Sequence, residues 1–249
     1  MENRILDPYA AAENIINQIE RKKEDLKTLN LMILGKTGVG KSTLINLVPR
    51  FYDVTEGAIL IDGINIKDYK EEVLHNKIGY IPQKAFLFTG SVKENVAYGD
   101  NGKEPIDEDM VVKALKVAQA YNFVSKMEGK TDAHIARGGT NVSGGQKQRL
   151  SIARAIARNP EIYIFDDSFS ALDYKTDLTL RQELKKYTKN ATSLIVAQRI
   201  GTIVNADKIV VLDKGKCVGI GTHKELLDTC EVYKEIALSQ LSKEELENA

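Results

Sequence analysis

Two stretches of the chain combine residue types that could handle phosphate and a divalent cation. The first is Gly35-Lys36-Thr37-Gly38-Val39-Gly40-Lys41-Ser42, which fits G-x-x-x-x-G-K-[ST] and continues into Thr43 and a helix-like segment to Leu47. Glycines let successive backbone N–H groups turn toward one point, and a helix start adds partial positive charge there, so the spacing suits a chain of phosphates. In such a loop Lys41 would bridge the β- and γ-phosphates, and Ser42 would offer its hydroxyl oxygen to Mg2+. The second stretch is Ile162-Tyr163-Ile164-Phe165-Asp166-Asp167, an apolar strand ending in a pair of acids. Asp166, brought beside the strand that precedes the phosphate loop, would hold the magnesium through water. Asp167 would stand where a carboxylate orients an attacking water. Together they predict a nucleoside triphosphate as ligand and its hydrolysis as the chemistry, without choosing the base. A third stretch, Ser143-Gly144-Gly145-Gln146, reads by itself as a helix start, a serine N-cap followed by a glycine turn.

These residues need a scaffold, and the hydrophobic pattern predicts one. Leu29 to Leu34 reads as a buried strand feeding the phosphate loop, and Ala58 to Asp62 with Ile64 to Ile66 as a hairpin turning at Asp62-Gly63. Lys77–Ile81, Glu161–Phe165, Ala191–Ala197 and Lys208–Leu212 are further strands. Residues 84 to 159 are mainly helical, with apolar spacing over Met110–Ala120 and Leu150–Ala157, and Tyr174–Tyr187 is a helix between strands. The alternation predicts an α/β fold, a mostly parallel sheet flanked by helices, with an inserted helical block. An amphipathic helix is expected over residues 8 to 28, with Ile15, Ile16 and Ile19 on one face, and a solvated acidic helix over Ser239–Ala249.

The chain has 249 residues, and its 35 basic and 35 acidic side chains cancel, which argues against a general nucleic-acid binder or a polybasic membrane-surface protein. No apolar run approaches the ~18–20 residues that span a bilayer, so the chain itself is expected to be soluble. Its cysteines, Cys217 and Cys230, fit free thiols in a reducing compartment.

Taken in order, the motifs resemble one family. Asn141-Val142-Ser143-Gly144-Gly145-Gln146-Lys147-Gln148-Arg149, upstream of the strand with two acids, is similar to the signature of ATP-binding cassette (ABC) transporters. Ile81-Pro82-Gln83 and the following Phe86-Leu87-Phe88-Thr89-Gly90-Ser91-Val92 resemble the Q-loop region of exporters, and Ser170-Ala171-Leu172-Asp173 the D-loop. Gly219 to Leu227 resembles the closing stretch of exporter cassettes, and the resemblance runs from about Leu47 to Leu241. It implies a P-loop NTPase fold of RecA-like type with an inserted α-helical signature subdomain, an ATPase activity, and ATP with Mg2+ as cofactors. Residues 1–30 would be an atypical N-terminal helical segment, 31–83 and 160–230 the ATP-binding core, 84–159 the signature subdomain, and 231–249 a C-terminal helix. The implied ligands are Gly35 to Thr43 and Gln83 for nucleotide, and Ser42, Gln83 and Asp166 for metal. Ser143, Gly144, Gly145 and Gln146 would meet the γ-phosphate held by a second cassette paired head to tail. The implied partners are that cassette and the transmembrane domains of an exporter, at the cytoplasmic face of the cell membrane, with no nucleic acid.

Two positions depart from the family pattern. Asp167 stands where the family has Glu, and Gln198 where the switch residue is His; Lys41 completes the expected catalytic group. Losing a methylene withdraws the carboxylate by more than an ångström, and a misplacement of ~1 Å can cost ~100-fold in rate. Gln can hydrogen-bond a phosphate oxygen but carries no charge. The combination resembles the hydrolysis-poor half of heterodimeric exporters and implies a non-identical partner with Glu and His. Residues 1–46 instead resemble the opening of dynamin-like or Era-like GTPases, although Asn-Lys-x-Asp and Asp-x-x-Gly segments are missing, so a fusion is expected with ATP rather than GTP as ligand. The other readings are a soluble, non-transport ABC switch and a non-functional fusion.

Overall fold

The computed structural model describes residues 30–35, 38–99, 102–103 and 105–241. The expected helix over 8–28, residues Lys36 and Thr37 of the phosphate loop, and the final eight positions lie outside them. In chain order the strands are β1 (Asn30–Leu34), β2 (Leu60–Ile61), β3 (Ile64–Asn65), β4 (Ile78–Ile81), β5 (Gly90–Ser91), β6 (His134–Ile135), β7 (Ile162–Asp166), β8 (Thr192–Ala197), β9 (Lys208–Asp213) and β10 (Lys216–Gly221). The helices are α1 (Lys41–Asn46), α2 (Glu71–Lys77), α3 (Val92–Val96), α4 (Glu108–Val117), α5 (Tyr121–Val124), α6 (Gly144–Ala157), α7 (Tyr174–Tyr187), α8 (Ile200–Ile203), α9 (His223–Thr229) and α10 (Glu231–Gln240). Among the described residues no helix is long and apolar enough to cross a membrane.

The chain divides into two units, one from the segments up to Leu74 and from Thr192 onward, the other His75–Ala191. In the first unit β1 is apolar and buried from Leu31 to Leu34 because parallel strands cover both its edges. It pairs with β8 from Asn30↔Ser193 to Leu34↔Ala197, and with β9 from Leu31↔Lys208 to Leu34↔Val211. β8 and β9 together occupy both hydrogen-bonding edges of β1. β10 returns antiparallel to β9, with Asp213 opposite Lys216 across a Lys214-Gly215 turn. Both turn residues have positive φ, 46° and 76°, the geometry whose twist matches a tight hairpin. Asp62-Gly63 makes the same kind of turn, with φ of 55° and 78°, but β2 and β3 are two residues each, shorter than the alternation suggested.

A cluster of Met32, Leu34, Ala197, Ile200, Ile203, Ile209, Val211, Leu226, Tyr233 and Ala237 forms one core of this unit. It draws α10 onto the sheet: Tyr233 and Ala237, a turn apart, are fully buried. The helix stops at Gln240, since Leu241 is extended at φ −111°, ψ 145°.

In the second unit β4 and β7 pair in parallel, from Ile78↔Ile162 to Ile81↔Phe165. The helical block expected over 84–159 is present, and it also contains the small antiparallel pair β5–β6. Its longest helix, α6, begins at the SGGQ segment and buries Leu150, Ile152, Ala153 and Ile156. Arg154 projects from α6 and holds the loop before α3. Its Nε donates to the Asn95 carbonyl at 2.7 Å, its Nη1 to the Phe86 carbonyl at 3.0 Å and its Nη2 to Asn95 Oδ1 at 3.1 Å. The guanidinium also lies over the rings of Phe88 and Tyr98.

Candidate active site

In the first unit the turn from β1 into α1 carries the phosphate-loop residues. Gly38 and Gly40 have φ of 82° and 91°, the left-handed region that glycine enters without a Cβ clash, and a Cβ on either would meet open space. Gly35 differs: a Cβ there would come within 2.5 Å of the Leu212 carbonyl oxygen and 2.7 Å of Val39 Cγ2. Gly40 caps α1 without a side chain, and Ser42 and Thr43 sit in the first turn behind it. Lys41 is buried and its ammonium donates to the Gly35 carbonyl. The loop therefore has what a phosphate chain requires: a helix start unobstructed by a capping side chain, glycine backbone facing open space, and a lysine folded over it. Gln198 follows β8 directly. Since Leu34 and Ala197 are register partners, Gly35 and Gln198 leave adjacent parallel strands at the same end. The structure thus brings Gln198 to the phosphate-loop edge of this unit.

In the second unit β7 delivers Asp166, 6% exposed, and then turns at Asp167, whose φ is 46°. Aspartate is one of the few residues with a side chain that enters that region readily. The turn is held by the end of β4. Gln83 Nε2 donates to Asp167 Oδ2 at 3.0 Å, and the Tyr80 hydroxyl donates to Asp166 Oδ2 at 3.2 Å. Ser168 Oγ donates to the Ile81 carbonyl at 2.8 Å, and Gln148 Nε2 of α6 donates to the Pro82 carbonyl at 3.1 Å. Burial, reinforced by the Asp166 carboxylate, pushes the Tyr80 phenol far above its usual pKa, so it stays a neutral donor. The expected residues Gln83, Asp166 and Asp167 are therefore neighbours. Tyr80, Gln148 and Ser168 were not anticipated; the only hint was their position within one or two residues of the motif residues or inside the signature helix.

The signature also forms as a helix start. Ser143 Oγ accepts from the Gln146 backbone N–H at 3.3 Å, and Gln146 Oε1 accepts from the Ser143 N–H at 2.8 Å. This reciprocal capping box uses the Gln146 side chain locally. Gly144 borders open space, and a Cβ on Gly145 would come within 3.2 Å of the carbonyl oxygen of Ala171, in the D-loop.

Among the described residues no three His, Cys, Asp or Glu side chains cluster as a metal cage. The donors the sequence nominates are hard oxygens: the Ser42 hydroxyl, the Asp166 carboxylate and the Gln83 side-chain carbonyl. This set fits magnesium, which keeps several waters and takes one or two protein oxygens plus phosphate.

A glycine phosphate loop after a buried strand, and an acidic turn at the end of another, define a P-loop NTPase. The family model described as ABC transporter matches residues 27–170. An uncharacterized ABC transporter ATP-binding protein of Mycobacterium tuberculosis is 48% identical over 208 residues, 84% of this chain and 35% of its own length. The protein YgaD of Bacillus subtilis, named for multidrug export as an ATP-binding/permease protein, is 40% identical across 90% of this chain and 38% of its own. A bacterial Atm1-family ABC exporter solved with ATP bound superposes with a TM-score of 0.81 at 34% identity, over 86% of this chain and 37% of that one. The chain belongs to the ABC transporter family and has the P-loop fold of its ATPase domains. The match takes in residues 27–46, so the phosphate loop itself lies within the ABC pattern. The chain spans little more than a third of the length of these relatives.

Proposed function

We propose that this chain is the ATP-binding, weakly hydrolysing motor domain of a multidrug-type ABC exporter, pairing head to tail with a second, non-identical cassette. The acidic turn is the observation that carries the reading. The shorter side chain of Asp167 is engaged by Gln83 at 3.0 Å, which ties the carboxylate to the end of β4. The backbone of Gly35 to Thr43, with Lys41, would hold the triphosphate, and Ser42, Asp166 and Gln83 would hold magnesium, which would neutralise charge on the phosphates. Asp167 accepts a proton from, and orients, the attacking water from a withdrawn position. Gln198 donates a hydrogen bond toward the γ-phosphate but cannot add positive charge as imidazolium would. The slow step therefore lies at this chain's own phosphate loop. Ser143, Gly144 and Gly145, at the open start of α6, complete the site of a partner that carries Glu and His, at the cytoplasmic face of an exporter's transmembrane domains.

The test is the ATPase rate of the purified chain against Asp167→Glu/Gln198→His. The expected gain is roughly 100-fold, the scale of an ångström of misplacement. A wild-type rate that the double change does not raise would sink the weak-hydrolysis reading.

A further inference from the structure

Gln240, the last residue of α10, reaches back across the sequence to the turn that follows β8. Its Nε2 donates to the Gln198 carbonyl at 2.9 Å, and its Oε1 accepts from the Ile200 backbone N–H at 2.8 Å. Between those two groups Arg199 is extended, at φ −113° and ψ 127°. One side-chain amide thus pairs with a C=O and an N–H two residues apart, as the N–H and C=O of a single residue on a neighbouring parallel strand would. The Ile200 N–H is also the first donor of α8, a helix whose N-cap makes no side-chain bond, and Ile200 is 0% exposed. Such a donor needs a partner, and α10 supplies it from 40 positions downstream. The reach is set by packing: Tyr233 and Ala237 seat α10 in the cluster that contains Ala197, Ile200 and Ile203, and Leu241 closes against the same cluster.

We propose that Gln240 is a positioning residue for Gln198: its amide grips the backbone on both sides of residue 199 and so fixes where the Gln198 side chain leaves the end of β8. The inference rests on the proposed role of Gln198 toward the γ-phosphate. It makes the C-terminal helix part of the apparatus that sets turnover, although that helix contributes nothing to any of the nucleotide motifs.

The experiment has two readouts on the full chain. Amide hydrogen exchange of Ile200 is followed without nucleotide in the wild type, Gln240→Ala and Gln240→Glu. ATP turnover is followed when each change is added to Asp167→Glu/Gln198→His. Gln240→Ala is expected to speed Ile200 exchange by about tenfold or more, the worth of one lost hydrogen bond. It should also remove most of the kcat gain of the double change while shifting the KM for ATP less than about twofold, as expected for a group acting in the transition state. Gln240→Glu keeps an acceptor for the Ile200 N–H but sets a carboxylate against the Gln198 carbonyl, so exchange should stay slow while the kcat gain is still lost. The proposal is overturned if Gln240→Ala leaves Ile200 exchange unchanged, or if exchange rises and the kcat gain survives. It is also overturned if Gln240→Glu retains the full gain, since the Gln198 contact then does nothing. If the double variant itself shows no gain over wild type, the weak-hydrolysis reading fails and takes the switch role of Gln198 with it, an outcome separable from the exchange result.

Discussion

Replacing Arg154 by Met keeps most of the aliphatic length of the side chain and removes its hydrogen bonds, so it isolates what the guanidinium contributes. In the native protein that group satisfies the carbonyls of Asn95 and Phe86 and the side-chain oxygen of Asn95, at 2.7 to 3.1 Å. Asn95 in turn donates to the Phe88 and Ser91 carbonyls and accepts from the Phe88 N–H, so the network fixes the whole loop in front of α3. Burial lowers the Arg154 pKa to about 10, which still leaves it charged near neutrality. A hydrogen bond from a charged donor contributes ~1.5–3 kcal/mol, but three from one group share a single desolvation cost and are not additive. Stacking over Phe88 and Tyr98 adds on the order of 1 kcal/mol. A net loss of roughly 3 kcal/mol is expected for Arg154→Met. At ~2–4 °C per kcal/mol for a chain of this size, the melting temperature should fall by about 6–12 °C. Arg154→Lys, with one compact ammonium for acceptors on both Phe86 and Asn95, should fall about half as far. Thermal and urea denaturation of the nucleotide-free chain measures both. A loss below about 1 kcal/mol for Arg154→Met, with an unchanged m-value, would refute the reasoning, because the carbonyls would then have found water or other donors at no cost.

Two further outcomes follow from the geometry. Gly35→Ala should destabilise the first unit by roughly 1–3 kcal/mol, because the new Cβ would lie 2.5 Å from the Leu212 carbonyl oxygen, a backbone atom that moves only with β9. Urea denaturation reads this, and the rise in melting temperature caused by Mg-ATP should be lost in the same variant. His223 is buried, with Nδ1 2.6 Å from the Tyr233 hydroxyl, and burial first, then Lys224, lowers its pKa. The unfolded chain, with a histidine pKa near ~6.5, then binds the extra proton more readily than the folded one. Its stabilising contribution is complete above that pH and is lost as pH falls toward the folded pKa. Melting temperatures from pH 7.5 down to pH 5.5 should therefore decline, less steeply in His223→Gln, and equal slopes in the two proteins would count against this.

How much was legible depended on whether the physics was local. The glycine spacing of the phosphate loop, the Asp62-Gly63 turn, the limits of Tyr174–Tyr187 and the serine cap at Ser143 are decided by backbone sterics and hydrogen bonds within a few residues, and the structure has them. Some elements gave a weak local signal. β10 has glycines at 219 and 221, and its Gly219 is required because Cys230 Sγ would lie 2.9 Å from a Cβ there, a neighbour visible only after folding. The helix α2 is short, with Leu74 as its one fully buried residue, too little for a periodic pattern.

Residue types and spacing by themselves determined the ligand class, the family pattern and the two departures at Asp167 and Gln198. Only tertiary structure decided which strands flank β1, that Gln83 and Tyr80 meet the two acids, and that Gln240 grips the turn after β8. Strand order and long-range side-chain bonds depend on packing between segments 40 to 177 residues apart, where the chain's own periodicity carries no information about the partner. The chemistry is written in local spacing, while the positions of the reacting groups are set by non-local burial.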